Sequence, residues 1–200
     1  MAFDGITIAA MVSELNKNLS GGRINKIAQP ESDELLITGK GANGQKRLLL
    51  SASASLPLIY FTGKNRISPL TAPNFCMLLR KHIGSARITA IRQPGLERVV
   101  EFELEHLNEL GDVCHKVLIM ELMGKHSNII FCDDNNMILD SIKHVSCNVS
   151  SVREVLPGRP YFIPHTQDKL DPLTISREDF MEKVCGRSNA VSKALYQTLT

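Results

Sequence analysis

The sequence predicts an α+β fold in which two antiparallel β-sheets are flanked by helices. Short apolar segments recur at regular spacing between turn residues, a pattern typical of antiparallel sheets. Within residues 100–105, apolar and acidic side chains alternate, as expected for a strand with one face in water. Two segments, 7–19 and 73–83, repeat their apolar residues with helical spacing instead. Together these three observations define the fold class.

The N-terminal half begins with a predicted helix over residues 7–19, which ends at Gly21 and Gly22. Asp4 precedes the first turn, where either a helix N-cap or an anion near the helix end is expected, and the spacing alone favours the cap. Four strands of an antiparallel meander are predicted to follow, at residues 23–29, 34–38, 46–51 and 58–62.

A second predicted helix, residues 73–83, begins at a proline and ends at Gly84. Its helical spacing places Arg80 and Lys81 opposite an apolar face made of Phe75, Leu78, Leu79, His82 and Ile83. A second set of strands is predicted at residues 87–92, 98–105, 113–123, 128–132 and 138–145.

The C-terminal part changes character, because prolines become too dense for a central strand and helical spacing returns. Helices are predicted at 176–184 and 189–200, and the second has no C-terminal cap. We therefore predict one domain over residues 1–167 and the start of a truncated helical domain over residues 168–200. We expect that helical domain to continue beyond Thr200.

Charge is strongly segregated in a chain whose formal net charge is only +2. Residues 64–98 contain seven lysines and arginines against one carboxylate, whereas residues 99–140 contain nine carboxylates against two lysines. A local excess of this size attracts partners of opposite charge. We therefore expect the cationic helix and strand to share one outer surface with the turn that contains Glu97 and Arg98.

Several classes of protein are not favoured by the composition. No apolar run approaches the roughly 20 residues that cross a bilayer, and the N-terminal segment lacks the basic region of a secretion signal. The five cysteines form no CxxC pair and the six histidines form no HxxxH or HExxH pattern. We predict no metal, no cofactor and no membrane association, and reduced thiols in a cytoplasmic protein.

Several segments together resemble the N-terminal domain of the NFACT family, whose bacterial members are called fibronectin-binding protein A or RqcH. The similar segments are DGITIAAMVSELNKNLSGGRINKI (4–27), NFCMLLRKHI (74–83), ELMGKHSNII (121–130), ILDSIKHV (138–145) and VLPGRPY (155–161). The resemblance implies a fold similar to the N-terminal domain of formamidopyrimidine-DNA glycosylases. It also implies that residues 168–200 begin a helix-hairpin-helix-type domain.

The resemblance further implies a non-catalytic, cytoplasmic RNA-binding factor of ribosome-associated quality control. Members of the family bind large ribosomal subunits that carry a stranded peptidyl-tRNA. They recruit alanine tRNA, so that C-terminal alanine tails extend the nascent chain. The partners implied for this chain are therefore tRNA and the large ribosomal subunit.

The family residues tied to tRNA are an aspartate near the N-terminus and an Asp-Arg pair. Asp4 and Arg98 match two of them, and Glu97 stands where the family usually has aspartate, which keeps the charge and adds one methylene. An arginine can bind a phosphate through two hydrogen bonds or stack on an unpaired base. Weaker candidates for contacts to the RNA backbone are Arg80, Lys81, Arg92, Lys125, His126 and Asn128.

Each of these assignments has an alternative. Arg98 could form an ordinary surface ion pair, and Asn128 could simply stabilise a tight turn. For the whole chain, the runner-up is a surface adhesin that binds fibronectin, as the older family name suggests. A DNA-glycosylase-like function is less favoured, because the start Met1-Ala2-Phe3-Asp4 lacks the Pro-Glu terminus that supplies the nucleophile of those enzymes.

Overall fold

The computed structural model describes residues 3–164, 170–172, 174–187 and 190–199. They form two compact units, Met1–Phe162 and Ile163–Thr200. The predicted domain boundary at 167/168 lies outside the described residues, as do the predicted ends at 189 and 200 of the last helix.

The first unit contains a nine-stranded antiparallel sheet and two helices, which confirms the predicted α+β class. The helices are α1 (Gly5–Leu19) and α2 (Asn74–Ile83). The strands are β1 (Arg23–Ala28), β2 (Glu34–Gly41), β3 (Gly44–Ser51), β4 (Leu58–Phe61), β5 (Arg87–Arg92), β6 (Val99–Leu107), β7 (Val113–Glu121), β8 (Asn128–Asp133) and β9 (Ile138–Ser141).

The strands form one continuous sheet, in the order β4-β3-β2-β1-β5-β6-β7-β8-β9, where the sequence predicted two sheets. The junction is short, since β1 and β5 pair in register only at Arg23 and Arg87. Three backbone hydrogen bonds close it: from the Gly21 amide to the Ile88 carbonyl (2.8 Å), from the Ile24 amide to the Ala86 carbonyl (2.9 Å) and from the Ile88 amide to the Gly22 carbonyl (2.8 Å). A contact this short does not affect the pattern of apolar and polar residues in either strand, so the sequence could not predict it.

The two halves of the sheet face each other across a shared core. Leu48 of β3 and Leu118 of β7 line the same small cavity, although their strands lie far apart in the sheet order. The Nζ atom of Lys143, which follows β9, donates a hydrogen bond to the Ala52 carbonyl, which follows β3. The apolar faces of α1 and α2 belong to this core, as the helical spacing predicted.

Two predicted strands end earlier than expected. Residues 113–123 were predicted as one strand, but β7 ends at Glu121 and a 3₁₀ turn follows at Gly124–His126. Gly124 has φ +59° there, a conformation that glycine adopts without strain. Beyond Ser141, the backbone amide of Lys143 bonds to the side chain of Asn128 (3.1 Å) instead of continuing the ladder. Side chains thus replace the strand pairing at both places.

The second unit contains α3 (Arg177–Phe180), which continues into a π-helical turn at Met181–Cys185, and α4 (Val191–Thr198). The Ser176 hydroxyl caps α3 by accepting a hydrogen bond from the Asp179 amide (3.0 Å). Across the described ranges of the chain, no helix combines the length and apolar character required to span a bilayer.

Candidate nucleic-acid interface

The turn between β5 and β6, residues 93–98, is held from both sides by backbone contacts. The Gln93 side-chain amide donates to the carbonyls of Gly5 and Glu97, both at 2.9 Å. The Glu97 amide donates to the Pro94 carbonyl (3.0 Å), which closes the turn around Gly95 with its φ of +51°. These bonds fix the backbone at the two predicted site residues, Glu97 and Arg98.

The start of α1 packs directly against this turn. A Cβ atom built on Gly5 would lie 2.3 Å from the Leu96 carbonyl oxygen and 2.9 Å from the Leu96 Cβ, so only glycine fits. Leu96 itself is buried. Asp4 adjoins Gly5, and so the fold brings Asp4 close to the turn that carries Glu97 and Arg98.

Asp4 is the N-cap of α1, as the spacing favoured. Its Oδ1 atom accepts a hydrogen bond from the Thr7 amide at 2.7 Å. This bond lowers the pKa of Asp4, so the carboxylate stays charged at neutral pH. The side chain is exposed. One oxygen therefore stabilises the helix, and the second oxygen faces solvent.

Arg98 is exposed and stands beside the partly exposed Glu97. Within residues 3–164 and the other described ranges, the side chains of Arg98 and Glu97 make no hydrogen bond and no ion pair. Arg98 therefore does not form the surface ion pair that was the alternative. The guanidinium group is available to an external acceptor, on a backbone that cannot easily move.

The loop after β7 lies next to Arg98. Its Leu122 amide donates to the Arg98 carbonyl at 2.9 Å, which aligns the loop with the β5–β6 turn. Lys125 and His126 are exposed on the 3₁₀ turn of this loop. Both residues belong to the loop whose first residue bonds to Arg98, and their contact with RNA stays a prediction.

Asn128 is a correction to the predicted set. Its side chain is only 2% exposed and bonds the backbone on both sides. The amide nitrogen donates to the Lys143 carbonyl (2.8 Å), and the oxygen accepts from the Ile129 and Lys143 amides (2.9 and 3.1 Å). These bonds leave it no free group for an external ligand. Asn128 holds β8 against the chain after β9, which is the turn-stabilising alternative.

The expectation that the cations of α2 share one outer surface with the Arg98 turn is a second correction, while their contact with RNA stays a prediction. The Nε atom of Arg80 donates to the Ile27 carbonyl at 2.7 Å, which ties the guanidinium to β1. His82, next to Lys81, packs on Phe131 with ring centroids 6.2 Å apart, and it feels the charges of His106 and Lys116. His106 lies eight residues beyond Arg98 along an extended strand, or roughly 26 Å away. The C-terminal end of α2 is therefore displaced along the sheet from Arg98.

Arg92 is close in sequence to the turn but is already paired. Its Nε atom lies 3.0 Å from a carboxylate oxygen of Glu103, on the neighbouring strand β6. Both side chains are partly exposed, so this pair contributes little to stability. It nevertheless offsets the charge of Arg92, and the predicted continuous basic surface is instead divided and partly neutralised.

A buried ion pair below the site was not recognised in the sequence. Glu121 is fully buried, and Arg153 binds both of its oxygens, at 2.6 and 2.5 Å. The Tyr161 hydroxyl donates to Glu121 Oε1 (3.0 Å), and the Arg153 guanidinium lies 5.5 Å from the centre of the Tyr161 ring. Burial, reinforced by the Glu121 carboxylate, raises the pKa of Tyr161 well above its usual range. The phenol therefore remains a hydrogen-bond donor.

This cluster links two segments that carry the family resemblance, at 121–130 and 155–161. Glu121 pairs in register with Val99, the residue after Arg98, and so the cluster lies directly beneath the site. Two signals in the sequence could have indicated it: a carboxylate ending the apolar strand VLIME, and arginines in the proline-rich tail. A buried carboxylate at a strand end requires a partner of opposite charge.

The described residues hold no group of three or more histidine, cysteine or acidic side chains placed to bind a metal ion. Burial raises the pKa of the Cys132 thiol to about 12, so that thiol is unreactive at neutral pH. The chemistry of the Arg98 region is thus that of charged hydrogen-bonding groups.

Relatives of known identity align along almost the whole chain. It is 41% identical over 198 residues to the Rqc2 homolog RqcH of Bacillus subtilis (strain 168), covering 98% of this chain and 34% of that protein. It is 26% identical over 175 residues to the ribosome quality control complex subunit NEMF of Homo sapiens, covering 88% of this chain and 15% of that protein. The chain spans about a third of the length of its bacterial relatives.

Solved structures match as closely. The N-terminal domain of the fibronectin-binding protein PavA from Streptococcus pneumoniae has a TM-score of 0.90 at 36% identity, covering 99% of this chain and 74% of that one. The N-terminal part of the fibronectin/fibrinogen-binding protein from Streptococcus suis has a TM-score of 0.91 at 37% identity, covering 100% and 74%. Residues 4–200 also match the family model described as NFACT N-terminal and middle domains. This chain therefore belongs to the NFACT family.

Proposed function

We propose that this chain is the non-catalytic, tRNA-binding part of a ribosome-associated quality control factor, with Arg98 as its central contact. The observation that carries the proposal is an exposed, unpaired arginine on a turn that α1 and β7 hold in place. Because the backbone of the turn is already fixed, ligand binding costs only the conformational entropy of the arginine side chain.

The neighbours of Arg98 favour RNA over a simple anion. A site for free phosphate would avoid carboxylates, yet Glu97 is next to Arg98 in the chain and Asp4 lies close to the same turn. Carboxylate oxygens accept hydrogen bonds from base amino groups or from a ribose 2′-hydroxyl, while arginine binds phosphate or stacks on an exposed base. Donors and acceptors in one place suit an unpaired nucleotide in a tRNA loop.

The names of the relatives support the cellular role. NEMF is named as a subunit of the ribosome quality control complex and RqcH as a homolog of Rqc2, and the chain aligns with a part of each. The proposed partners are therefore the large ribosomal subunit and tRNA, with alanine tRNA as the tRNA recruited for alanine tailing. Lys125 and His126 would contact the adjacent RNA backbone.

The direct test measures binding of labelled alanine tRNA to the chain and to its Arg98→Ala variant. Loss of one arginine contact to a base or phosphate should weaken binding about tenfold to a hundredfold. Arg87→Ala is the matched control, because Arg87 is also exposed but lies at the other end of β5. Equal affinity of the Arg98→Ala variant and the parent would refute the assignment.

Fibronectin binding is the second candidate, because solved relatives are described as fibronectin-binding proteins. It predicts a measurable association between the chain and immobilised fibronectin. If Arg98→Ala left that association intact while abolishing tRNA binding, the two activities would reside on different surfaces. Fibronectin binding without any tRNA binding would reverse the order of the two candidates.

A further inference from the structure

The outer face of β1–β3, which is turned away from the core, carries a second group of cations. Lys26, Thr38 and Arg47 are direct cross-strand neighbours on this face. Lys40 lies two residues beyond Thr38 on the same face of β2, paired with Gln45. The lysines and the arginine therefore form two adjacent rows across three strands.

A β-bulge in β1 contributes to this arrangement. The register with β2 shifts between Ile24 and Lys26, which leaves Asn25 as the extra residue. Bulges redirect side chains at functional positions. Here Asn25 and Lys26 both line the same groove as Thr38, although neighbouring residues in a regular strand point to opposite faces.

The segment after β4 forms the opposite wall of the groove, through Asn65, Arg66 and Ser68. Thr38 lies at its floor and is only 5% exposed. Its hydroxyl makes no hydrogen bond to any residue of the described chain, although it lines the groove. The hydroxyl oxygen is not sealed inside the protein, so water or a ligand in the groove can hydrogen-bond to it.

Carboxylates do not balance these cations. The nearest is Glu34, and Arg66 Nη1 lies 3.1 Å from its carboxylate, close enough for an ion pair although not aligned as a hydrogen bond. Arg47 donates to the Gly63 carbonyl at 3.1 Å, which orients it without neutralising it. Lys26 and Lys40 are exposed and have no ion-pair partner in the described parts of the chain.

We propose that this groove binds the phosphate backbone of RNA, as a second contact surface separate from the Arg98 turn. The choice of RNA as the polyanion rests on the proposed function. Contacts to nucleic-acid backbones come from lysine and arginine together with serine, threonine, asparagine and glutamine, and the groove presents these residue types. Its described lining includes no aromatic residue on which a base could stack, so binding is independent of sequence.

The test compares the chain with a Lys26→Gln/Lys40→Gln variant, using a fluorescent 20-nucleotide polyuridine RNA over a range of salt concentrations. The variant should bind at least tenfold more weakly at low salt. The slope of log affinity against log salt should decrease in magnitude by roughly 1.4, or 0.7 for each lost phosphate contact on a single strand. Lys17→Gln/Lys193→Gln removes two exposed lysines elsewhere and should behave like the parent.

Both lysines are exposed, and Lys26→Arg/Lys40→Arg should restore binding, which separates charge from folding. Unchanged affinity and slope in the glutamine variant would overturn the inference. The inference would also be overturned if the glutamine variant lost binding to phosphatidylglycerol vesicles but kept its binding to RNA, because the groove would then bind a membrane. Arg98→Ala and the lysine-to-glutamine variant, compared with alanine tRNA as the ligand, distinguish the two proposals. If only the lysine variant weakens binding, the groove is supported and the proposed role of Arg98 fails. If only Arg98→Ala weakens it, the reverse holds.

Discussion

The Arg98 turn and the outer groove of β1–β3 are both exposed and cationic, yet they are built differently. The turn gathers residues from distant parts of the chain, because α1, the β5–β6 connection and the end of β7 must meet. The groove arises from three consecutive strands and the segment that follows them. Long-range assembly fixes the position of a single arginine, whereas local assembly presents several cations on one face.

The Arg98 turn and the groove also differ in the residues that surround their cations. Glu97 precedes Arg98 on the turn and Asp4 lies close to that turn. Their carboxylates repel phosphate and favour a ligand that donates hydrogen bonds. Most of the other residues that line the groove around Lys26 and Arg47 are uncharged, and the polar ones can hydrogen-bond to any phosphate backbone. The comparison suggests that the turn provides selectivity and the groove provides affinity.

The largest effect should follow from breaking the buried support of the turn. Glu121→Ala leaves the Arg153 guanidinium buried without its partner, and the free energy of unfolding should fall by about 3–5 kcal/mol. Urea denaturation measures this change. In binding assays below the unfolding transition, the variant should lose the contribution of Arg98 and keep that of the groove.

The exposed pair between Arg159 and Glu154, 2.9 Å apart, is the control for Glu121→Ala. Arg159→Ala should change the free energy of unfolding by only about 0–1 kcal/mol, because solvent screens this pair. Comparable losses in the two variants would mean that the cluster at Glu121 gives the turn no special support.

Gly5→Ala tests the close approach of α1 to the turn. The added methyl group would overlap the Leu96 carbonyl, so the turn must shift, at a cost of about 1–3 kcal/mol in the free energy of unfolding. Binding of tRNA should weaken as Arg98 moves. Gly63→Ala is the control, since a methyl group added there would meet no atom within 4 Å. A Gly5→Ala variant as stable as the parent would contradict the tight packing.

The sequence predicted the local features of this fold and missed the long-range ones. Alternation along β6 and helical spacing in α2 each concern neighbouring residues, and both were confirmed. The single register pair at Arg23 and Arg87 joins residues more than sixty positions apart, so the continuous sheet could not be read from either strand.

The candidate site shows the same limit. Counting charges from residue 64 to 98 overstated the basic surface, because Arg66 and Arg92 pair with carboxylates on other strands. The roles given to Asp4, Glu97 and Arg98 came from the family resemblance and stay predictions until binding is measured. The residues beneath them, Glu121 and Arg153, became apparent only when the tail was seen folded against β7.

Asp4→Asn separates helix capping from ligand recognition. Asparagine is as good an N-cap as aspartate, so the stability of α1 should change by no more than a few tenths of a kcal/mol. Loss of the charge should nevertheless alter discrimination between alanine tRNA and polyuridine by several fold. Competition binding between the two RNAs measures this ratio. Unchanged discrimination would assign Asp4 to capping alone.

The smallest effect concerns His82, on the end of α2 that lies away from Arg98. Burial, together with the charges of Lys81, His106 and Lys116, lowers the pKa of His82 below its ordinary 6.5. At pH values between the lowered pKa of the folded chain and the ordinary pKa of the unfolded chain, the unfolded chain binds the proton more readily. Stability from this residue is therefore present above about pH 6.5 and is lost as the pH falls toward the folded pKa.

His82→Phe should remove this part of the pH dependence while keeping the contact with Phe131. Urea denaturation at several values between about pH 5.5 and 7.5 should give a shallower decline for the variant than for the parent. Identical slopes would show that the imidazole is solvated in solution. Lys81, His106 and Lys116 would then not perturb the pKa of His82. The separation of the α2 cations from the Arg98 turn, which was inferred from these neighbours, would need revision.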